Sequence, residues 1–152
     1  MTPNPKRSDE LRASYSREDF TKGFVEDRSD VMNSVHVILK RFESPDETRV
    51  LVKGKFEIVR LGGMTIGRAT YEPGWKWSEH VGPAVGAARC SVEHVGIVLS
   101  GSATAAFDDG TIIEMKPGEL FYIPPTPHDS WVVGDSPYVS LHFLGADHYA
   151  KK

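Results

Sequence analysis

One stretch decides the fold of this chain: Ser91–Gly101, with the sequence SVEHVGIVLSG. Its run of aliphatic and β-branched residues, ended by a glycine, predicts a buried β-strand. Side chains alternate between the two faces of a strand, so His94 shares a face with Val92, Gly96 and Val98. The sequence therefore predicts that this histidine points into the interior of the protein.

A buried imidazole needs a partner for each of its two ring nitrogens. His94 can be a core histidine whose ring is satisfied by a backbone carbonyl. It can also be a metal ligand whose second nitrogen donates a hydrogen bond to the protein. The strand alone leaves both alternatives open.

Length and composition predict one soluble globular domain. A chain of 152 residues can bury a sizeable core without disulfides or structural metals. The hydrophobic content of 39% and the charged content of 26% are ordinary, and the formal net charge is -3. Because no global positive field is present, we expect no nucleic acid partner.

The single cysteine and the first residues bear on location. Cys90 has no intrachain partner, so no disulfide is expected. The start, Met1–Arg7, lacks the apolar centre of a signal peptide, and no run approaches the roughly 18 apolar residues that span a bilayer. We expect a cytoplasmic protein without a membrane partner.

The chain is predicted to divide into an N-terminal arm, residues 1–30, and a β domain, residues 31–148. The arm has few aliphatic residues and carries six Lys/Arg against seven Asp/Glu. A short helix over 16–24 is one alternative within it. The apolar residues that could anchor the arm to the domain or to a neighbouring subunit are Tyr15, Phe20, Phe24 and Val25.

Beyond the arm, the pattern predicts about ten short strands joined by tight turns, which is typical of a small antiparallel barrel or sandwich. Gly62-Gly63 and Asp108-Asp109-Gly110 each predict a hairpin turn. The expected strands include Val35–Phe42, Phe56–Leu61, Met64–Tyr71, Ala103–Phe107, Thr111–Met115, Leu120–Ile123, His128–Val133 and Tyr138–Leu144.

The segment Trp75–His80, WKWSEH, is also predicted to be extended. Alternation then places His80 with Lys76 and Ser78, and puts the two tryptophans on the opposite face. The tryptophan pair can pack against a partner subunit or form a ligand platform. Because this pair and the arm have no evident place inside so small a barrel, we expect a homodimer.

Two spaced motifs resemble those of the cupin superfamily. The first cupin motif is a Gly, five residues, His-x-His, a short gap, Glu, six residues and Gly. Here Gly74 and His80 match its beginning, and His94 and Gly101 match its end. The chain departs in the middle, since Gly82 stands at the second His position, the gap is longer and His94 replaces the Glu.

The second cupin motif is a Gly, five residues, Pro and then a turn that leads to His. Gly118, Pro124 and His128 match it. The resemblance covers roughly residues 50–145. It implies a single antiparallel β-barrel of the jelly-roll-like, double-stranded β-helix kind, with one metal ion bound by His80, His94 and His128.

Chemistry supports this ligand set, because neutral imidazoles bind divalent Fe, Zn, Mn, Ni and Cu. Three protein ligands leave positions for a small-molecule substrate or dioxygen. We expect a metal-dependent enzyme, dioxygenase-like or of another small-molecule chemistry. The alternatives are a non-catalytic binding or sensory cupin and a metal-free cupin whose histidines line the cavity.

Further candidates stand near the three histidines. The Cys90 thiolate can add a ligand, or the side chain can simply pack. Glu79 and Asp129 adjoin proposed ligands and can accept hydrogen bonds from them or transfer protons, or they can be ordinary surface acids.

Three residues are candidate walls of a binding pocket. Tyr122 and Trp131 can line it or pack in the core. His142 shares a face with Tyr138 and Ser140, so it can enter the cavity or face solvent.

Overall fold

A computed structural model of the protein describes residues 36–152. The chain divides into two units, Met1–Val37 and Ile38–Lys152, and the second is described here. The predicted arm of residues 1–30, its helix over 16–24 and its four apolar anchors lie outside the described residues. Among the helices of residues 36–152, none has the length and apolar character needed to cross a membrane.

The described part of the chain consists of short strands and two one-turn helices. In chain order they are β1 Glu47–Leu51, β2 Gly54–Leu61, β3 Met64–Tyr71, α1 Trp77–His80, α2 Gly82–Val85, β4 His94–Ser100, β5 Ser102–Phe107, β6 Ile112–Met115, β7 Leu120–Ile123, β8 His128–Asp129, β9 Val132–Val133 and β10 Tyr138–Leu144.

The strands form two antiparallel sheets that share one hydrophobic core. The larger sheet has the order β1-β2-β3-β10-β4-β7, and the smaller has β6-β5-β8, with β9 also paired to β5. Phe56 and Ile58 of the larger sheet belong to the same buried cluster as Ala105 and Met115 of the smaller. The predicted class, an all-β domain of antiparallel strands, is confirmed. Among residues 36–152 the ladders do not close into one ring, so the barrel takes the form of a sandwich.

The stretch that predicted the fold is strand β4. His94, Gly96 and Val98 are buried, and the residues between them are only partly buried, so the inward face of the strand is the predicted one. Both predicted hairpins are present. Gly62 and Gly63 have φ angles of 57° and 78°, the left-handed pair that a two-residue turn between twisted strands requires.

Two predicted strands are absent. In the described part of Val35–Phe42 the chain is irregular and ends in a turn, because it has no neighbouring strand; Leu39 is 89% exposed and Lys40 instead pairs with Asp46. The second absent strand is the one predicted over Trp75–His80. Its residues Trp77–His80 form helix α1 instead. Its first turn is held by Asp129, whose carboxylate accepts hydrogen bonds from the Ser78 amide and hydroxyl.

A part-buried ion pair joins β2 to β3 on the face away from the core. Glu57 stands directly opposite Arg68 and accepts hydrogen bonds from Arg68 Nε and Lys55 Nζ, each at 2.8 Å. Burial acts to raise the pKa of Glu57, but these two hydrogen bonds and charges outweigh it and hold the pKa below its usual value. The carboxylate therefore stays ionised in the folded protein.

Replacing Glu57 by Gln should lower the free energy of unfolding at pH 7 by about 1–3 kcal/mol, because charge-assisted bonds to a buried carboxylate are lost and the half-buried Arg68 loses its nearest carboxylate. The folded-state pKa is depressed, so the benefit is complete above the unfolded pKa and is lost as the pH falls through the folded one. Urea unfolding between pH 7 and pH 3 measures this. The difference between the two proteins should shrink towards pH 3, and a constant difference would contradict the assignment.

Candidate metal centre

Three buried side chains bring potential metal ligands together. Cys90 Sγ and one ring nitrogen each of His94 and His128 all lie within 4.8 Å of one another. His94 begins β4 and His128 begins β8. Cys90 is fixed against His128 by an isolated antiparallel bridge, in which each amide donates to the other's carbonyl at 2.9 Å. The cluster thus links the larger sheet to the smaller one.

The spacing within this cluster suits a metal ion. Cys90 Sγ lies 3.5 Å from His94 Nε2. A tetrahedral site with a metal–sulfur bond of about 2.3 Å and a metal–nitrogen bond of about 2.0–2.1 Å separates the two donors by about 3.6 Å. This one separation fits a shared ion, and without an ion it fits a hydrogen bond between the Cys90 thiol and His94 Nε2.

The tautomer of His128 is set by its surroundings. Its Nδ1 lies 2.8 Å from the Thr126 carbonyl oxygen, which can only accept a hydrogen bond. Nδ1 must therefore carry hydrogen, and burial lowers the pKa of the ring, so that Nε2 is left unprotonated. A ligand histidine typically donates its second nitrogen to a carbonyl in this way.

The other donors are also uncharged in the metal-free protein. Burial first, and then the neighbouring His142 and His128, lower the pKa of His94 to about 2. Burial raises the pKa of the Cys90 thiol to about 11. A metal is bound by neutral imidazole and by thiolate, so His94 is ready to bind while Cys90 must release a proton on binding.

The cluster opens onto a cavity of about 40 Å³ between the two sheets. Its wall is mostly aromatic and sulfur-containing, and among its lining residues there is no Asp, Glu, Lys or Arg. His142 of β10 enters it and is 8% exposed. The lining residues are Tyr71, Trp75, Trp77, Cys90, His94, Met115, Phe121, Ile123, His128, Ser130, Tyr138, His142 and Tyr149.

His142 lies next to the candidate ligands without being one of the clustered donors. Its ring centroid is 5.4 Å from that of His94, in an edge-on arrangement. Its Nε2 lies 3.0 Å from Oγ of Ser140, which is two residues earlier on β10 and faces the same side of the strand. Burial lowers its pKa to about 4, so the ring is neutral at physiological pH. The ring thus lies in the wall of this cavity, and its part in binding a ligand stays a prediction.

Tyr149 is a cavity residue that the sequence did not predict, because the domain was expected to end at residue 148. Its side chain is 4% exposed and its hydroxyl accepts a hydrogen bond from Tyr71. The turn that carries it is held by Arg49 of β1, whose guanidinium donates to the carbonyls of Ala146, Asp147 and Tyr149. The sequence feature that could have indicated a buried residue here is an aromatic side chain in an otherwise polar tail.

Replacing Arg49 by Met should release this turn and lower the free energy of unfolding by about 1–3 kcal/mol, because three carbonyls, two of them in part-buried hydrogen bonds, lose a charged donor. Thermal and urea unfolding measure the change. Arg60→Met is the matched control, since Arg60 also pairs with Glu47 but is largely exposed; it should cost less than about 0.5 kcal/mol. Equal losses in both variants would contradict the role given to Arg49.

His80 is not among the clustered donors. It ends helix α1, and its Nδ1 lies 2.9 Å from the Lys76 amide nitrogen. It lines a separate surface pocket together with β1 and the C-terminal residues Ala150–Lys152. The direction predicted for the His80 side chain assumed a strand, and the structure has helix α1 at this position. Its role as a ligand stays a prediction.

The two predicted acids also stand outside the cavity wall. Glu79 is exposed and lies 3.5 Å from Lys76 Nζ. Asp129 is buried, and its carboxylate is occupied by the amides of Ser78 and Ser130 and by the Ser78 hydroxyl. Asp129 fixes the backbone around α1 and β8, and its catalytic role stays a prediction, as does that of Glu79.

The remaining predicted wall residues face other parts of the surface. Tyr122 is 61% exposed and donates a hydrogen bond to Glu93. Trp131 is half-buried, with Lys76 Nζ 6.0 Å from the centre of its ring. Neither lines the cavity described above.

Trp75 and Trp77 are instead part of the core. They are 1% and 4% exposed, and Trp75 stacks on Tyr71 with ring centroids 3.8 Å apart. The expectation that this pair lacks a place in the domain was therefore wrong, because the turn after Tyr71 and helix α1 fold both indoles inwards.

No protein-family model matches the chain, and no curated protein matches it. Among solved structures, a protein of unknown function from Rhizobium leguminosarum is 24% identical, with a TM-score of 0.46 over 59% of this chain and 78% of that one. A protein of unknown function from Acinetobacter is 14% identical, with a TM-score of 0.48 over 65% and 90%.

A sugar phosphate isomerase from a cupin superfamily, of Silicibacter pomeroyi, is 19% identical, with a TM-score of 0.44 over 60% of this chain and 58% of that one. At TM-scores below 0.5 these similarities carry no argument about activity, substrate or metal. A protein described as belonging to the cupin superfamily is thus among the structures to which this chain is similar.

Proposed function

We propose that this protein binds one divalent transition metal ion through Cys90, His94 and His128 and uses the adjoining cavity to convert a small organic molecule. The observation that supports this is the approach of three buried donors of the right chemistry from two sheets. Cys90 thus takes the place that the sequence motif gave to His80.

The donor set fits such an ion and narrows its identity. A thiolate with two imidazoles suits Zn, Fe, Co or Cu better than Mn, which prefers oxygen ligands. When bound, the ion would act as a Lewis acid towards a substrate oxygen or, if redox-active, activate dioxygen. Three protein donors leave at least one position open, as in catalytic rather than structural sites.

The chain's own residues would prepare the site for this chemistry. The Thr126 carbonyl orients His128, and the bridge between Cys90 and His128 fixes their separation. The aromatic wall excludes bulk water, which strengthens electrostatic interactions inside. His142 presents a neutral imidazole beside the ligands, where it can donate or accept a hydrogen bond from a bound molecule.

One observation favours the second candidate, a non-catalytic binding or sensory protein. The cavity wall contains no carboxylate, and the nearby Asp129 is already engaged by backbone and hydroxyl donors. General acid–base catalysis would thus fall to His142, whose lowered pKa makes it a weak base.

Elemental analysis of freshly purified protein tests the metal proposal, and stoichiometric Zn, Fe, Co or Cu is expected. Apoprotein loaded anaerobically with Fe(II) is then screened for oxygen uptake with organic molecules that suit a cavity of about 40 Å³, beginning with short carboxylic and thiol acids. Zn, Mn and Ni forms are screened for non-oxidative turnover. The variant His94→Ala, which removes one of the three proposed ligands, serves as the control that lacks the metal site. Metal binding without turnover, alongside tight binding of an unchanged ligand, would favour the second candidate.

The homodimer predicted from the sequence is also a proposal. Support comes from exposed apolar side chains on strands at sheet edges, such as Val50 of β1 and Leu120 of β7, which are 80% and 75% exposed. Light scattering at micromolar concentration should give twice the mass of one chain. A monomer mass would contradict the dimer, and a dimer unaffected by deleting residues 1–30 would exclude the arm from the interface.

A further inference from the structure

Four buried nitrogen atoms surround the cavity without a hydrogen-bond partner. They are Nε1 of Trp75, Nε1 of Trp77, Nδ1 of His94 and Nδ1 of His142, and they are the buried side-chain nitrogen and oxygen atoms of residues 36–152 that have none. All four residues line the same cavity. Unpartnered polar atoms are rare inside proteins, and their concentration at one place suggests a bound molecule.

Three of these atoms, the two indole nitrogens and Nδ1 of His94, are donors rather than acceptors. Nδ1 of His142 donates or accepts according to whether its Nε2 accepts from or donates to Ser140. An indole Nε1 can only donate. His94 turns its Nε2 towards Cys90, so its Nδ1 carries hydrogen when Nε2 binds the metal. The Trp77 indole lies near the Tyr149 hydroxyl, but its Nε1 makes no hydrogen bond of normal geometry to that oxygen. A molecule that satisfies this wall must therefore offer acceptor lone pairs.

Charge gives a second restriction. The wall has no acidic or basic side chain of its own. A divalent ion held by one thiolate and two neutral imidazoles leaves a net charge of one positive unit in an apolar, buried place. An uncompensated buried charge is costly, and one monoanion would neutralise it. A cationic ligand would meet no acidic side chain in the wall and would be repelled by the bound ion.

Size gives a third restriction. A cavity needs about 10–15 Å³ to hold one water molecule. The cavity of about 40 Å³ therefore holds roughly three or four non-hydrogen atoms. We propose that the cavity binds a small monoanion of this size, such as a short carboxylate or a linear triatomic anion, through the indole N–H groups of Trp75 and Trp77. This inference rests on the proposed metal site.

The test uses the three tryptophans of the chain as internal probes. Protein with ¹⁵N-labelled indoles is loaded with Zn(II), and its three indole N–H signals are followed by NMR as sodium azide or sodium formate is added at constant ionic strength. The signals of Trp75 and Trp77 should shift downfield and saturate. Trp131, which lies outside the cavity wall, should not move. Benzoate is too large and should leave all three unchanged.

Affinity is measured separately from the visible spectrum of the Co(II)-loaded protein during azide titration. Trp75→Phe and Trp77→Phe should each weaken azide binding about tenfold or more, because a hydrogen bond to a charged ligand is lost. Their Co(II) content should stay stoichiometric. Trp131→Phe is the matched control and should bind azide as the unmodified protein does. The NMR titration uses the unmodified chain, so it decides the question even if an indole variant fails to fold.

The two proposals fail in different ways. If the protein takes up neither Zn(II) nor Co(II), the metal site and this inference fall together. If the metal binds but azide and formate move no indole signal, or move Trp131 equally, the cavity holds only water and this inference alone is overturned. Azide binding with the same affinity in both cavity variants would also overturn it.

Discussion

Replacing Cys90 by Ala should abolish tight metal binding, whereas replacing His80 by Ala should leave it unchanged. Cys90 Sγ lies in the donor cluster, 3.5 Å from His94 Nε2. His80 lines a different pocket and its Nδ1 is engaged with the backbone of Lys76. The two variants therefore separate a ligand set with Cys90 from the three-histidine set that the motif predicts.

The expected loss in the Cys90 variant is large, because a thiolate is one of three protein donors and supplies the only negative charge among them. We expect metal affinity to fall by at least about 100-fold. Equilibrium dialysis with Zn(II) or Co(II), followed by elemental analysis, measures it. A Co(II) form of the unmodified protein should also show an intense thiolate-to-metal absorption that Cys90→Ala lacks.

Cys90→Ser and His94→Ala complete the set. Serine keeps the size of the side chain but offers a poor ligand, so it should behave like alanine if coordination matters and like the unmodified protein if Cys90 only packs. His94→Ala should lose the metal under either ligand set. Stoichiometric metal of unchanged affinity in Cys90→Ala, with loss in His80→Ala, would restore the three-histidine site.

Much of the fold could be predicted because alternation and turn chemistry are local. Strand β4 shows the predicted inward face, and the Gly62-Gly63 hairpin is present. The wrong predictions concern segments whose structure is determined by contacts with residues distant in sequence. Trp77–His80 alternates like a strand, yet Asp129, distant in sequence, fixes its first turn as a helix.

The site was harder to predict, for a physical reason. Motif spacing counts residues along the chain, whereas a metal ion requires donors that converge in space. His94 and His128 converge because each begins a strand of a different sheet facing the shared core. Cys90 is held beside them by its isolated bridge to His128. A single bridge of this kind leaves no periodic pattern in the sequence. Tyr149 enters the cavity only because Arg49 holds the final turn.

Gly96→Ala should strongly destabilise the protein, although alanine in place of glycine usually favours the folded state. Gly96 lies between β10 and β7 in the larger sheet. A Cβ here would overlap the Leu141 carbonyl oxygen and approach the Phe121 ring to 2.5 Å. Neither can move freely, since the carbonyl belongs to the β10 backbone and the ring packs in the core.

We expect a loss of about 3 kcal/mol in the free energy of unfolding, at the upper end for an overpacked core, measured by urea denaturation. Leu99→Ala on the same strand is the control; its side chain is 48% exposed, so its loss should stay below about 1 kcal/mol. The Phe121 ring also contacts His142 edge-on at 5.4 Å, so displacing it disturbs the cavity wall. Gly96→Ala that folds should therefore bind the metal or azide more weakly. An unchanged or raised stability would show that β4 does not pack against β10 and β7 as closely as described.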